Sequence, residues 1–379
     1  MFEKLWQLIT YDIGIDLGTA NTMVYLRGKG IVISEPSVVA INKRTKKVLA
    51  VGVEARQMIG RTPANVIAHK PLRGGVISDF DSTQAMIKYF IEKTHKYSHK
   101  SFVIPRPRVV VGIPSSVTEV ERQAVIDAAK AAGAREVYII VEPMAAAIGS
   151  GLPVEEASGS MIVDIGGGTS DIAVISLGDI VVDKTLSVAG DDMDDDIVDY
   201  VRQKYNLLIG ERTAEDVKVA IGSAYPLDEE MSIRLQGRDL ISGLPKSVEI
   251  SSVEIREAII RSISKIIDAI KEGIEETPPE LLSDLITSGI YMAGGGALIR
   301  GIDKLFEEQL KLPVRLSDDP IAAVARGTSK ILDHTDYLSI QILVMPVCKY
   351  AQNVLNPYVL CTMYNIKILL AILVNNSCI

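Results

Sequence analysis

Two aspartates, each closing an apolar run and each followed by a turn of small residues, carry the chemistry legible in this sequence. Asp16-Leu17-Gly18-Thr19-Ala20-Asn21 and Asp164-Ile165-Gly166-Gly167-Gly168-Thr169 start 148 positions apart, at 16 and 164. The echo continues past the turn: Met23 to Leu26 and Ile172 to Val174 are apolar, and Gly30 matches Gly178 at the same offset from the aspartate. Each copy reads as a strand, a Gly-centred turn and a second strand. Two copies in register imply a duplicated domain whose turns face each other across a cleft, an arrangement that can hold a chain of phosphates from both sides. Successive backbone N–H groups in such turns make an anion-binding concavity, and Gly18, Gly166, Gly167 and Gly168 remove the Cβ atoms that would block the approach. Thr19, Asn21 and Thr169 add side-chain donors. Asp16 and Asp164 suit a magnesium ion that keeps several waters, since Mg²⁺ is held by one or two carboxylates plus phosphate oxygens. The chain has no G-x-x-x-x-G-K-[ST] sequence, so an ordinary P-loop is excluded. Two plain hairpins are the competing reading, and they account for either copy alone better than for the pair.

A third glycine run, Met292-Ala293-Gly294-Gly295-Gly296-Ala297, lies between a strand and a helix. By itself it fits a capping loop equally well; beside two phosphate turns it is the natural place for the nucleoside end. Glu142, followed by Pro143 at the end of a buried strand, is the best candidate to orient an attacking water for in-line hydrolysis, against the plainer reading of a helix-initiating Glu-Pro. The acidic run Asp191-Asp192-Met193-Asp194-Asp195-Asp196 lacks the glycine and closing glutamate of a calcium loop, and is better explained by the preference for acids in a helix's first turn.

The elements that must position these groups follow from periodicity. Strands are expected at about 11–17, 22–27 and 31–34, at 108–113 and 138–141, within a second hairpin over 161–183, and at 290–292. Helices are expected at 81–97, 118–132, 144–148, 192–205, 213–221, 252–275, 279–287 and from Ile299. Val120 to Ala132 reads as core-facing, with Glu119, Arg122 and Lys130 outward. Strand-rich and helix-rich stretches alternate in both halves, which makes the fold class α/β.

At 379 residues and 47% hydrophobic, the chain buries a large core and has length for two or three lobes. Net charge is −8 and no broad basic block exists, which disfavours nucleic acid; the short Lys43 to Lys47 cluster reads as a solvated turn. No apolar run reaches the roughly 20 residues of a spanning helix. All three cysteines lie at 348, 361 and 378, a pattern that argues against a disulfide framework or zinc site and suits a reducing cytosol.

Five motifs resemble the MreB family of bacterial actins in order and spacing: Asp16-Leu-Gly-Thr-Ala-Asn-Thr22, Glu142-Pro-Met-Ala-Ala-Ala-Ile-Gly149, Asp164-Ile-Gly-Gly-Gly-Thr-Ser-Asp171, Gly210-Glu-Arg-Thr-Ala-Glu215 and Ala293-Gly-Gly-Gly-Ala-Leu298. The match covers about residues 1–333. It implies an actin-like fold of two facing ribonuclease-H-like lobes, each with a smaller subdomain, and ATP in the interlobe cleft. Lobe I would take 1–150 with an inserted subdomain over about 35–75; lobe II would take 151–316 with its subdomain over about 184–251; and 317–333 would return to lobe I. The resemblance also implies that Glu142 and Thr169 help position the water, that Asp16 and Asp164 lie near magnesium, that Glu211, Glu215 and Lys218 lie near ribose and adenine, and that Asp191 belongs near the nucleotide.

Phe2, Leu5, Trp6 and Ile9 fall at helical spacing at the N-terminus, with the chain's single Trp among them. They could pack on the body, but the pattern also fits an interfacial membrane helix. The resemblance favours the membrane and adds Phe102-Val103 as a neighbouring hydrophobic loop. It also implies that the outer side of the 118–132 helix joins paired antiparallel protofilaments. Beyond Asp336 only Lys349 and Lys367 are charged, and the resemblance stops. That tail reads as an added membrane-associating segment, as a helix packed on the body, or as out-of-frame translation of a damaged gene end.

The expected function is that of a filament-forming ATPase at the inner membrane face, which organises cell-wall synthesis together with rod-shape-complex membrane proteins. A small-molecule kinase of the same superfold would need a substrate carboxylate and cleft loops that are not identifiable here. A chaperone-like ATPase would need a substantial substrate domain, for which the 46 residues after Asp333 leave no room.

Overall fold

The computed structural model describes residues 10–97 and 106–333. Two five-stranded sheets carry these residues, and their connectivity is the same. The first runs, edge to edge, Gly30–Pro36, Asn21–Leu26, Asp12–Leu17, Arg108–Ile113, Glu136–Val141. The second runs Asp179–Leu186, Ser170–Ser176, Ser160–Ile165, Ile290–Ala293, Val314–Leu316. In each, three strands form an antiparallel meander and the remaining pairings are parallel. The duplication read from two turns therefore extends to whole sheets.

Arg108–Ile113 and Ser160–Ile165 are buried along their entire length, as expected of strands with helices on both faces. Each sheet also carries its insertion at the same topological point, between the third and fourth strands in chain order. In the first half it holds a sheet ordered Val48–Val51, Val39–Asn42, Val66–His69, the helix Val53–Met58 and the hairpin Leu72–Arg73/Val76–Ile77. In the second half the helices Gly190–Tyr205 and Glu211–Ile221 accompany a sheet of Leu207–Leu208, Ser232–Asp239 and Pro245–Ser251.

Helix boundaries follow local chemistry. Glu119–Ala131 begins at Thr118, whose backbone N–H donates to Glu121 Oε2 at 2.8 Å while the Glu121 amide donates back to Thr118 Oγ1 at 3.3 Å. This is a reciprocal capping box. Ser251 and Glu254 repeat it ahead of Ser252–Glu276, where Ile255, Ile259, Ile263, Ile266, Ile267 and Ile270 form the buried stripe. Two expectations need correction. Val120 is 81% exposed, because the buried stripe of its helix is Val125, Ala128, Ala129 and position 120 falls off it. The helix expected from Ile299 starts at Ile302; Arg300 instead bridges to Ser223, and its carbonyl accepts from the Ala224 amide at 2.8 Å.

The helix Ala323–Asp333 comes back against the first half. Ala322 and Ala325 pack with Met23, and Lys330 Nζ donates to the Ile148 carbonyl at 2.7 Å. Among the described residues no helix is long and apolar enough to cross a membrane. Phe2, Leu5, Trp6, Ile9, Phe102, Val103 and the tail after Asp333 lie outside the described residues.

Candidate functional site

The two glycine-centred turns meet. A Cβ added to Gly167 would stand 2.6 Å from Ala20 Cβ, and one on Gly168 would stand 2.7 Å from Thr19 Oγ1. Only glycine permits this approach, since real side chains do not sit that close. Between and beside the turns lies a cavity of about 460 Å³, within the usual range for small-molecule sites.

How the turns present their amides follows from what holds their carbonyls. The Gly18 carbonyl accepts from Ser37 Oγ at 2.6 Å and the Ala20 carbonyl from the Ser37 amide at 2.9 Å. In the second turn, the carbonyls of Gly166 and Gly167 accept from the amides of Gly190 and Asp191 at 3.1 and 2.8 Å. A trans peptide points its C=O and the following N–H in opposite directions. The amides of Thr19, Asn21, Gly167 and Gly168 are therefore turned away from these anchors, and all four residues line the cavity. The same device is built twice, once on a buried serine and once on a helix N-terminus. Ser37→Ala removes one anchor of the first turn, and we expect about tenfold weaker binding of a polyphosphate ligand, the scale of one buried hydrogen bond. Titration calorimetry checks this, and unchanged affinity would mean that Ser37 does not set the turn.

Among the carboxylates that line the cavity, Asp16, Glu142, Asp164 and Asp171 form one cluster. Asp16 and Asp164 occupy equivalent positions near the ends of their strands. Asp171 faces Asp164 across the second hairpin, where the first hairpin has Met23 opposite Asp16. Glu142 opens the helix Glu142–Gly149, one residue after its strand ends. Burial lifts the Asp16 carboxyl from its ordinary 3.8 to about 7. Burial, and then the charges of Asp171, Asp16 and Asp164, hold Glu142 well above the carboxylate range. Burial, and then the charges of Asp171 and Asp16, raise Asp164, and burial lifts Asp171 to about 6 although Thr185 and Thr169 hydrogen-bond to it. Their charged neighbours are other carboxylates, so the cluster gathers negative charge that nothing among the described residues neutralises.

A hydrated divalent cation fits that donor set. Mg²⁺ is held by one or two carboxylates and keeps several waters; among the described residues no group of three or more His, Cys, Asp or Glu converges as a direct ligand shell. An acid whose pKa is raised on folding stabilises the fold below its ordinary value and loses that contribution as pH rises through the folded value. With divalent cations chelated, the melting temperature should therefore fall as pH rises from about 4 to about 7. Added Mg²⁺ should recover more stability at the upper end than at the lower. Differential scanning fluorimetry reads both, and a magnesium effect independent of pH would contradict the cluster's role.

The remaining candidates are placed as follows. Asp16, Gly18, Thr19, Ala20, Asn21, Glu142, Asp164, Gly166, Gly167, Gly168, Thr169, Asp191, Glu215, Lys218, Gly294, Gly295 and Gly296 all line the cavity. Glu211 is exposed at the first turn of its helix and does not line it. Ala297 is buried in the second hydrophobic core, so its side chain faces packing rather than the cavity. Gly294 has φ +80°, and a Cβ there would stand 2.2 Å from the Ile165 carbonyl oxygen and 2.3 Å from Asp164 Oδ1, which ties the third glycine run to the second turn. Lys218 is held by the Gly190 carbonyl at 2.6 Å and by Asp194 at 2.8 Å. Sequence reasoning missed Ser37, Gly75, whose amide donates to Thr19 Oγ1 at 3.0 Å, and the apolar lining of Val219, Leu298 and Ile321. It quoted Asp171 in a motif but gave it no role; the strand pairing of the hairpin was the signal that could have found it.

Comparison with known proteins gives the same picture from a different direction. A family model described as MreB/Mbl protein matches residues 10–340. The cell shape-determining protein Mbl of Bacillus subtilis is 48% identical over 327 residues, covering 86% of this chain and 97% of that protein. The cell shape-determining protein MreB of Escherichia coli is 48% identical over 340 residues, covering 89% and 97%. Among solved structures, MreB5 of Spiroplasma citri bound to ADP superposes with a TM-score of 0.82 at 43% identity, covering 88% of this chain and 98% of that one. The paired sheets with matching connectivity are the actin-like fold, and the chain belongs to the MreB/Mbl family of cell shape-determining proteins.

Proposed function

We propose that the cavity binds ATP with Mg²⁺ and hydrolyses it, and that this chemistry governs assembly of the chain into filaments on the inner face of the cytoplasmic membrane. There they would organise cell-wall synthesis and maintain a rod shape, with rod-shape-complex membrane proteins as partners. The carrying observation is the pair of facing turns, each with its carbonyls anchored behind and its amides turned the other way, beside the clustered carboxylates of Asp16, Glu142, Asp164 and Asp171. The structural relative bound to ADP supports the same reading.

In this reading the amides of Thr19, Asn21, Gly167 and Gly168 take the phosphate oxygens. Asp16 and Asp164 would hold magnesium through water, and the ion supplies charge compensation for the phosphates. Glu142 and the Thr169 hydroxyl orient the attacking water, and Glu142 draws off its proton as the bond forms. Val219 (70% exposed), Leu298 (51%) and Ile321 (39%) offer apolar walls near Gly294, Gly295 and Gly296, where a planar base loses water at little cost. Closing two halves on one ligand couples occupancy to the outer surface on which neighbouring copies dock. The helix Glu119–Ala131, with Val120 exposed, is the proposed pairing surface. Membrane attachment is assigned to Phe2, Leu5, Trp6, Ile9 and the Phe102-Val103 loop.

Titration calorimetry with ATP and Mg²⁺, followed by a phosphate-release assay, tests the site. One ATP per chain with slow release of phosphate is expected, and folded protein that binds no ATP would refute the proposal. Deleting residues 2–9 should weaken flotation with anionic vesicles; undiminished flotation would move attachment to the Phe102 loop.

A further inference from the structure

We propose that Asp171 is a positioning residue for hydrolysis: it takes the hydrogen of the Thr169 hydroxyl and so makes Thr169 an acceptor toward the attacking water. This rests on the hydrolytic reading above and adds how the water is oriented. A hydroxyl has one hydrogen to give and lone pairs to receive with, so what it touches behind decides what it offers in front. The two threonines of the turns are set oppositely. Thr19 Oγ1 accepts from the Gly75 amide at 3.0 Å, which leaves its own hydrogen for a phosphate oxygen. Thr169 donates to Asp171, which leaves its lone pairs for a hydrogen of the water.

The surroundings of Asp171 are donors. It is 1% exposed, and Thr185 Oγ1 donates to its Oδ1 at 2.6 Å. The Ser115 amide donates to it as well. An ionised carboxylate accepts only and has lone pairs for all three. Thr185 is held in turn: its Oγ1 lies 3.1 Å from Ser115 Oγ, which donates to Asp183 Oδ1 at 2.5 Å. Thr169 is also fixed from its other side. A Cβ added to Gly75 would stand 3.3 Å from Thr169 Cγ2 and 2.4 Å from Pro114 Cγ, so the threonine methyl packs where Gly75 leaves space. A β-branched side chain has few rotamers, and the place of the methyl sets the direction of the hydroxyl.

Glu142 and Thr169 both line the cavity. A water with one hydrogen on the Glu142 carboxylate and the other on Thr169 Oγ1 has a lone pair left for the phosphorus. As its oxygen bonds to the γ-phosphorus, the bond to the bridging oxygen breaks and ADP leaves with that electron pair. The hydrogen facing Glu142 departs as a proton, and the one facing Thr169 stays on the new phosphate. A Thr169 hydroxyl without Asp171 behind it can instead donate to the water and turn that lone pair aside.

The experiment measures single-turnover phosphate release and ATP affinity separately, on the full chain with Mg²⁺. The variants are Asp171→Asn, Thr169→Val, Thr169→Ser, Thr185→Val and the Asp171→Asn/Thr169→Val double variant. Asparagine keeps the shape but offers one acceptor oxygen and one donor nitrogen. Asp171→Asn and Thr169→Val should each slow release about tenfold, the scale of one buried hydrogen bond. ATP affinity should stay within about twofold of the parent, since the contact acts on the water and not on the nucleotide. Thr169→Ser keeps the hydroxyl and should recover most of the rate. The double variant should be no slower than Thr169→Val, because Asp171 acts through that hydroxyl. Thr185 lies outside the cavity lining, and Thr185→Val should slow release about threefold; it carries the test if Asp171→Asn does not fold. A double variant slowed about 100-fold, the product of independent effects, would overturn the proposal, as would unchanged release in Asp171→Asn. Loss of ATP or Mg²⁺ affinity matching the loss of rate would overturn it too, making Asp171 a ligand-holding residue. A parent chain that binds no ATP would refute the nucleotide reading itself.

Discussion

Glu142→Ala is expected to leave ATP bound and to slow phosphate release by about 100-fold or more, the usual scale for a positioned general base. The carboxylate reaches the cavity from a strand end and helix start of the first sheet, elements that belong to neither turn. Its removal should have a second effect of opposite sign. Glu142 is raised well above the carboxylate range by burial and then by Asp171, Asp16 and Asp164, so ionising it at neutral pH costs stability. The variant should melt higher than the parent when divalent cations are chelated near pH 7. A slower enzyme that is also more stable would identify Glu142 as a residue kept for function at the expense of the fold. Unchanged phosphate release would remove it from the mechanism.

Gly167→Val should abolish tight binding, weakening ATP by about 10- to 100-fold, as overpacking at a rigid contact does. The first added carbon would stand 2.6 Å from Ala20 Cβ and 3.1 Å from the Ala20 amide nitrogen, and the branches of valine have no space between the turns. The two halves would be propped apart, and every contact that needs both would lengthen together. Gly178→Ala is the control: nothing lies within 4 Å of an added Cβ there, so its positive φ costs stability without touching the cavity. Calorimetry on the two variants separates them. Equal loss of affinity in both would mean that closeness of the turns is not what the site requires.

The repeat of Asp16 and Asp164 was legible because small residues in a turn leave a mark in sequence, and the strands flanking them are largely apolar. The helix with Ile255, Ile259 and Ile263 was equally plain from its period. What sequence could not display was the pairing of distant groups. Asp171 gains its place from register with Asp164 across a hairpin. Ser37 looks like any loop serine until its hydroxyl and amide are seen holding two carbonyls of one turn. Arg56 and Glu215 stand 159 positions apart, and no local pattern links them. Val120 was misplaced because an apolar side chain in an amphipathic helix was assigned to the core, although the stripe from Val125 to Ala129 passes it by. Glu211 and Ala297 entered through motifs rather than through geometry, and the fold puts the first in solvent and the second in the core.

Electron microscopy of the full chain on anionic vesicles, with ATP and Mg²⁺ and again without nucleotide, tests the central claim most directly. The account predicts filaments lying on the lipid with ATP, few or none without it, and none with Gly167→Val under either condition. Filaments of equal number with and without nucleotide, or in the Gly167→Val variant, would contradict the claim that an ATP site between the two turns governs assembly.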